Sequence, residues 1–268
     1  MENKKIEIMG VLNITPNSFS DGACYNSTPL ALKRVSEMIN EGVDIIDIGG
    51  ESTHPFSTPI SENEELDRVI PIIEVIKKNY DITLSIDTYK SVVAEEAIKN
   101  GVKIINDISG FTFDSKMIDV AKKYNVKSII MHTSNRPQIM QNHISYNNII
   151  EDIYNFFDKQ IKKLKENDIN DIVIDPGFGF GKSLDDNYKL LANLKTFKKF
   201  NLPILVGISR KSMIGKLKDP DYKVDERLGG TITLNTLAIL NGASIIRVHD
   251  IKEHKQMILA IERYIRSI

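Results

Sequence analysis

Cysteine is nearly absent. Cys24 stands alone, so no intrachain disulfide can form and no cysteine zinc cluster can be built. A single thiol suits a reducing compartment, and the cytoplasm is the expected location. Net charge is nearly absent too: 35 Lys and Arg face 36 Asp and Glu. With no long-range field to gather nucleic acid or coat an anionic membrane, neither is an expected partner, and any anion site must be assembled locally. No apolar run approaches the ~20 residues that cross a bilayer. Met1 to Lys5 leads straight into an apolar strand, without the h-region of a signal peptide. Chemical signatures are missing as well. No histidine pair has zincin spacing, so a catalytic zinc is not expected. No Gly-x-Ser-x-Gly elbow marks a serine hydrolase.

What is present is alternation. A short run rich in Ile and Val gives way to a polar loop, then an amphipathic stretch, then another such run, eight times over. The strands read Ile6–Leu12, Asp44–Ile48, Thr83–Ile86, Lys103–Asn106, Lys127–Met131, Asp171–Ile174, Pro203–Val206 and Ser244–Val248. Near-continuous apolar strands are the mark of a parallel sheet covered on both faces. Helices are expected between them, at Leu30–Asn40, Glu64–Asn79, Val92–Asn100, Ser115–Tyr124, Tyr146–Asn167, Leu184–Leu194, Leu228–Asn241 and Glu253–Ile265. Three of these helices run into Gly42, Gly101 or Gly242, residues that end a helix in the left-handed conformation. A doubly wound sheet would usually carry a Gly-rich phosphate turn after its first strand. Asn13-Ile14-Thr15-Pro16-Asn17 is not one. The expected fold is therefore a single-domain α/β chain, a (β/α)8 TIM barrel over residues 1–268.

In such a barrel, chemistry sits on the loops that leave the strands. Here those loops carry Asn13, Asp47 to Thr53, Asp87, Asn106-Asp107, Met131-His132, Asp175 to Lys182, Ser209 to Ser212, and Arg247 to Asp250. Asp87, Asp175 and Asn106 offer acceptors, with Asn106 also a donor. Such a set suits a flat heterocycle with a guanidine-like edge. Lys211, Arg210, Arg247 and His249 form an expected cationic half, suited to a phosphate or carboxylate. Phe180, in the Phe178-Gly179-Phe180-Gly181 loop, either lies beside a bound ring or packs at the rim. His132 and His249 follow strands and are placed to reach the site; His143 and His254 are expected at the surface.

These ordered motifs resemble those of the dihydropteroate synthase family over essentially the whole chain, from Met9 to about Arg263. The resemblance implies that 6-hydroxymethyl-7,8-dihydropterin diphosphate loses pyrophosphate to the amine of p-aminobenzoate. It implies pterin contacts from Asp87, Asn106, Asp175, Lys211 and Arg247, with Ile108, Met131, Phe180 and Gly207 as walls. It implies Mg2+ on Asn13, and diphosphate contacts from Asn13, Thr53, His54, Arg247 and His249. It places p-aminobenzoate against Thr53, Pro55, Lys211 and Ser212, gives catalytic roles to Asp87, Asp175 and Lys211 and, in the first loop, to Phe19 and Asp21, and implies a homodimer.

The second loop departs from the family pattern. Ser52-Thr53-His54-Pro55-Phe56 stands where Ser-Thr-Arg-Pro-Gly is usual, and Asn17 replaces an aspartate in the first loop. These changes are expected to alter affinity for p-aminobenzoate or sulfonamides without abolishing catalysis. Three rivals remain in view. A methyltransferase on methyltetrahydrofolate would share the fold but not need the anion half. A Schiff-base aldolase would use Lys211. An idle pterin-binding protein would have no use for Asn13.

Overall fold

A computed structural model describes residues 5–14, 27–142 and 144–267. The strands are β1 (Glu7–Asn13), β2 (Ile45–Gly49), β3 (Thr83–Asp87), β4 (Ile104–Asp107), β5 (Lys127–Met131), β6 (Ile172–Asp175), β7 (Leu205–Val206) and β8 (Ile245–Val248). All pairs are parallel, in the order β6-β5-β4-β3-β2-β1-β8-β7. A parallel bridge between Ile174 and Ile204 joins the two ends, so the sheet closes into the expected eight-stranded barrel.

Between the strands lie α1 (Ser27–Glu41), α2 (Glu62–Asn79), α3 (Ser91–Lys99), α4 (Met117–Tyr124), α5 (Ile149–Glu166), α6 (Leu184–Ala192), α7 (Ser212–Gly215) and α8 (Leu228–Leu240), with α9 (Ile251–Ile265) last. Local chemistry sets their ends. The Ser61 hydroxyl accepts from Glu64 N at 3.1 Å, with Glu62, Glu64 and Glu65 in the first turn of α2 and Lys77 and Lys78 in its last. Ser183 and Asp186 form a reciprocal capping box on α6. Gly42, Gly101 and Gly242 take φ of 91°, 100° and 110°, as their place after helices requires.

Two features differ from expectation. β7 shrinks to two residues, with Ile204 only bridging. Its loop also folds further than its sequence suggests, into α7 and a 3-10 turn at Val224–Arg227, where Pro220 and charged residues leave no apolar period to read.

Strand parity positions the site. On each strand, alternate residues such as Ile8, Leu12, Ile46, Ile48, Leu84, Ile86, Ile246 and Val248 face the helices in the main core. The opposite parity fills the barrel with Met9, Ile45, Ile104, Ile129, Val173, Leu205 and Ile245. Continuing that inward parity to the strand ends gives Asn13, Asp47 and Gly49, Asp87, Asn106, Met131, Asp175, Gly207 and Arg247. Parallel register then lines up Asn13, Gly49, Asp87 and Asn106 across four strands, and Met131 with Asp175.

Candidate active site

Arg247 is the hub of this top layer. Its Nε donates to Asp47 Oδ2 at 2.7 Å and its Nη2 to Asp87 Oδ2 at 2.6 Å. The Asn106 amide donates to the same Asp47 oxygen at 2.9 Å. Asp47 is completely buried. One guanidinium thus serves two buried carboxylates, and Asp47 Oδ1 and Asp87 Oδ1 remain buried without a hydrogen-bond partner. Such oxygens are costly unless a donor reaches them. Burial pushes the Asp87 carboxyl up and the Arg247 charge pulls it back. Burial raises Asp175 in the same way, against Lys211 and the bond of 2.8 Å from Gly177 N to its Oδ1. Tyr89, Ile108 and Met131, with Phe113 and Phe180 packed on them, make an apolar wall beside these acceptors. Polar acceptors on one side and an aromatic wall on the other suit a flat, donor-edged ring.

The cationic half is smaller than expected. Lys211 belongs to it: its ammonium donates to Phe178 O and lies 4.4 Å from the centre of the Phe180 ring. Burial pulls it down to about 8. Arg210 does not belong. Its guanidinium forks onto Asp250 at 3.0 and 2.5 Å, its amide donates to Thr231 Oγ1, and its carbonyl accepts from Arg227. With φ at 58°, it is the bend that presents Lys211 rather than a ligand itself.

His249 is also not a cation. Its amide donates to Ser209 Oγ at 3.2 Å, so the hydroxyl proton is free to point at His249 Nδ1, 2.9 Å away. Burial, then the charges of Arg247 and Arg210, hold the imidazole down to about 4. Near neutral pH it is an uncharged ring with Nε2–H as its donor. A glutamine at this position, also a neutral N–H donor, is expected to retain more kcat/KM for an anionic substrate than alanine does, by about fivefold or more, one hydrogen bond's worth. Steady-state kinetics of His249→Gln and His249→Ala at pH 7 make the comparison.

The other expected residues divide. A Cβ added at Gly207 would stand 3.8 Å from Arg247 Cβ, so the two residues are neighbours on the inward side of β7 and β8. Asn13 is exposed at the end of β1, its Oδ1 facing Gly49. Thr53, His54 and Pro55 stand on the β2–α2 loop. Phe56 is exposed with φ at 65°, its amide donating to Pro137 O at 3.2 Å. That left-handed φ explains why glycine is the easier residue there. Ser212 opens α7 beside Lys211. Phe19 and Asp21, like Asn17, Cys24 and His143, lie outside the described residues. His132 is buried against Lys182 instead of facing the mouth. His254, expected at the surface, is fully buried between the Asn235 amide and Asp250 O. Asp107 turns back to accept from Ser109 N and Phe111 N in its own loop.

The most important omission from the expected set is Asp47, which holds both Arg247 and Asn106. Its inward parity, two residues before Gly49, is the signal that finds it. Lys182 and Ser209 stand in the expected loops, but sequence alone gives them no role, because their partners lie 50 and 40 residues away.

Among the described residues no group of three His, Cys, Asp or Glu could hold a metal ion. Mg2+ usually keeps several waters and takes one or two protein oxygens plus phosphate. The exposed Asn13 amide oxygen fits an ion that is carried largely by its substrate.

Comparison with known proteins gives a consistent result. The family model described as pterin binding enzyme matches residues 9–249. The dihydropteroate synthase of Clostridium beijerinckii is 46% identical, over 93% of this chain and 90% of that one. The dihydropteroate synthase of Escherichia coli K12 is 42% identical, over 95% and 90%. Among solved structures, the Yersinia pestis dihydropteroate synthase with a sulfonamide drug complex superposes with a TM-score of 0.92 at 40% identity, covering 100% of this chain and 97% of that one. The dihydropteroate synthase of Clostridium difficile, solved in the presence of pteroic acid, gives 0.92 at 41%, covering 98% of this chain and 99% of that one.

Proposed function

Because the chain belongs to the pterin-binding enzymes, among the dihydropteroate synthases, we infer that it condenses 6-hydroxymethyl-7,8-dihydropterin diphosphate with p-aminobenzoate. It is a transferase of folate biosynthesis and a sulfonamide target. The observation that carries the reading is the inward layer of Asp87, Asn106 and Asp175 with an unpartnered Asp87 oxygen, set beside an aromatic wall.

In the proposed mechanism the donor edge of the pterin meets Asp87, Asn106 and Asp175, between Ile108, Met131 and Phe180. The carbon–oxygen bond to the diphosphate breaks, its electron pair leaving with pyrophosphate and positive charge building on the pterin methylene. The buried carboxylates stabilise that charge. Arg247 and the His249 Nε2–H face the departing anion, with Thr53 and His54 above them. Mg2+, held by Asn13, would supply further neutralisation of the pyrophosphate. The aniline nitrogen forms the new bond to carbon and then loses its proton, so no protein nucleophile is required. Lys211 and Ser212, with Thr53 and Pro55, receive p-aminobenzoate, and Phe19 and Asp21 of the first loop complete the site. Lys211 is already engaged by Phe178 O and the Phe180 ring, which disfavours the aldolase reading. The test is pyrophosphate release from both substrates. It is expected to stop with a chelator and return with Mg2+. No dihydropteroate product would overturn the assignment.

The second loop is expected to set drug affinity. In a His54→Arg/Phe56→Gly variant, the arginine adds charge near His249 and the glycine removes a ring from a left-handed bend. Sulfonamide inhibition constants are expected to differ between this variant and the native loop by about threefold or more, the effect of one exposed charged contact. Equal constants would refute the loop's part.

We propose a homodimer as well. An apolar groove between α8 and α9 is lined by Ile232, Leu240, Met257, Ile261 and Tyr264, and Leu240 and Tyr264 are 42% and 58% exposed. A second copy would cover them. Sedimentation is expected to show a dimer that Leu240→Glu/Tyr264→Glu turns into monomers. No helix among the described residues is long and apolar enough to cross a membrane. The cytoplasm, where a charged diphosphate substrate is retained, is the proposed location.

A further inference from the structure

Lys182 is a buried lysine without a task in the mechanism above. It is 4% exposed. Its ammonium contacts Gly177 O at 2.8 Å, Phe180 O at 3.0 Å, His132 O at 3.2 Å and His132 Nδ1 at 3.1 Å. These partners are three carbonyls and one ring nitrogen. A buried ammonium is expensive unless its protons are satisfied, and here backbone satisfies them. Burial pulls the group down to about 7. The same burial holds His132 well below its ordinary value, leaving an uncharged ring whose Nδ1 can accept.

The loop after β6 is shaped around this ammonium. Gly177, Gly179 and Gly181 take φ of 73°, 79° and 60°. A Cβ on Gly177 would stand 2.0 Å from His132 O, and one on Gly181 1.9 Å from Ser134 Oγ, so the chain passes where only glycine fits. Between these glycines sit the groups that build the pocket. Phe180 packs on the aromatic wall, and Phe178 O accepts from Lys211. Gly177 N bonds Asp175 Oδ1 at 2.8 Å. From the outer side, Gly179 N is held by the buried Asn187 at 2.7 Å, and Gln141 and Tyr146 donate to Gly179 O and Gly181 O at 2.9 Å each; the ammonium alone gathers Gly177 O and Phe180 O.

We propose that Lys182 is a positioning residue for the pterin pocket: its caged ammonium draws Gly177 O, Phe180 O and the end of β5 to one point, and so fixes Phe180 and Asp175. The inference rests on the pterin reading of the site. A purely structural lysine would lower the melting temperature and the yield, but folded enzyme would keep its Michaelis constants. A positioning lysine moves the constant of the substrate whose pocket it sets.

The experiment compares wild type with Lys182→Met, which keeps the apolar stem and loses the charge. KM for the pterin diphosphate is expected to rise at least tenfold, while KM for p-aminobenzoate changes less than threefold. The thermal shift produced by 6-hydroxymethylpterin is expected to shrink. An unchanged pterin KM with only a lowered melting temperature overturns the proposal. Should Lys182→Met fail to fold, His132→Leu removes one cage contact and leaves the carbonyls in place. It is expected to raise the pterin KM about threefold, and no change there overturns the proposal equally. A wild-type chain that releases no pyrophosphate would sink the functional reading and this inference together. Wild-type turnover with unmoved variant constants would sink this inference alone.

Discussion

Lys211→Ala is expected to lower kcat/KM for the pterin diphosphate by about 10²- to 10³-fold, the scale of breaking one buried charge relationship. The reasoning starts from Asp175. That carboxyl is buried, and Lys211 is the leading charge that keeps it from rising further. Without the ammonium, Asp175 is held protonated more readily and loses acceptor capacity toward the ring. Phe178 O and the face of Phe180 lose their cation at the same time. Both KM and kcat are expected to suffer, because the proposed mechanism sets the lysine on the pterin side and, with neighbouring Ser212, on the p-aminobenzoate side. Steady-state kinetics with each substrate varied in turn provide the check. Wild-type constants would remove Lys211 from the site.

Arg247→Ala is expected to cost about 3–5 kcal/mol of folding stability, because it strands two buried carboxylates on one side. The loss has a pH signature. Asp87 titrates above its ordinary value in the fold, so between that value and its folded one the native state holds a proton that the unfolded chain has released. Stability therefore falls as pH rises through that window. Arg247 is the charge that pulls Asp87 down; removing it pushes the carboxyl further up and widens the window. The difference between variant and wild type is expected to be larger at pH 8 than at pH 5, read from urea unfolding midpoints. An equal difference at both values would mean that Arg247 does not hold these carboxylates. Activity is expected to disappear with the stability, since in the proposed mechanism the same guanidinium faces the departing pyrophosphate.

The barrel was legible because each strand is a short Ile- and Val-rich run, buried on both faces, with a polar residue at its far end. Period-two alternation then decides which polar residue points inward, and Asn13, Asp47, Asn106, Asp175 and Arg247 each lie on the inward side that Met9, Ile45, Ile104, Val173 and Ile245 mark on their own strands. Charge states were not legible. His249 reads as a candidate cation until its burial beside Arg247 and Arg210, with Nδ1 on Ser209 Oγ 40 residues earlier, holds the ring neutral. Arg210 reads as a ligand until its positive φ and its fork onto Asp250 turn it away. His254 reads as a surface residue because its helix is charged, yet it falls on the buried stripe with Met257 and Ile258 and finds Asn235 there. In each case the deciding partner comes from another element, and only the closed barrel brings the two together.

The most direct measurement of the central claim is a crystal structure of this chain with pteroic acid bound. The account predicts the pterin ring inside the barrel mouth, its donor edge on Asp87, Asn106 and Asp175. Phe180 and Met131 should lie beside it, and Arg247 should remain tied to Asp47. A ring bound outside that layer, or one making no contact with the three acceptors, would contradict it.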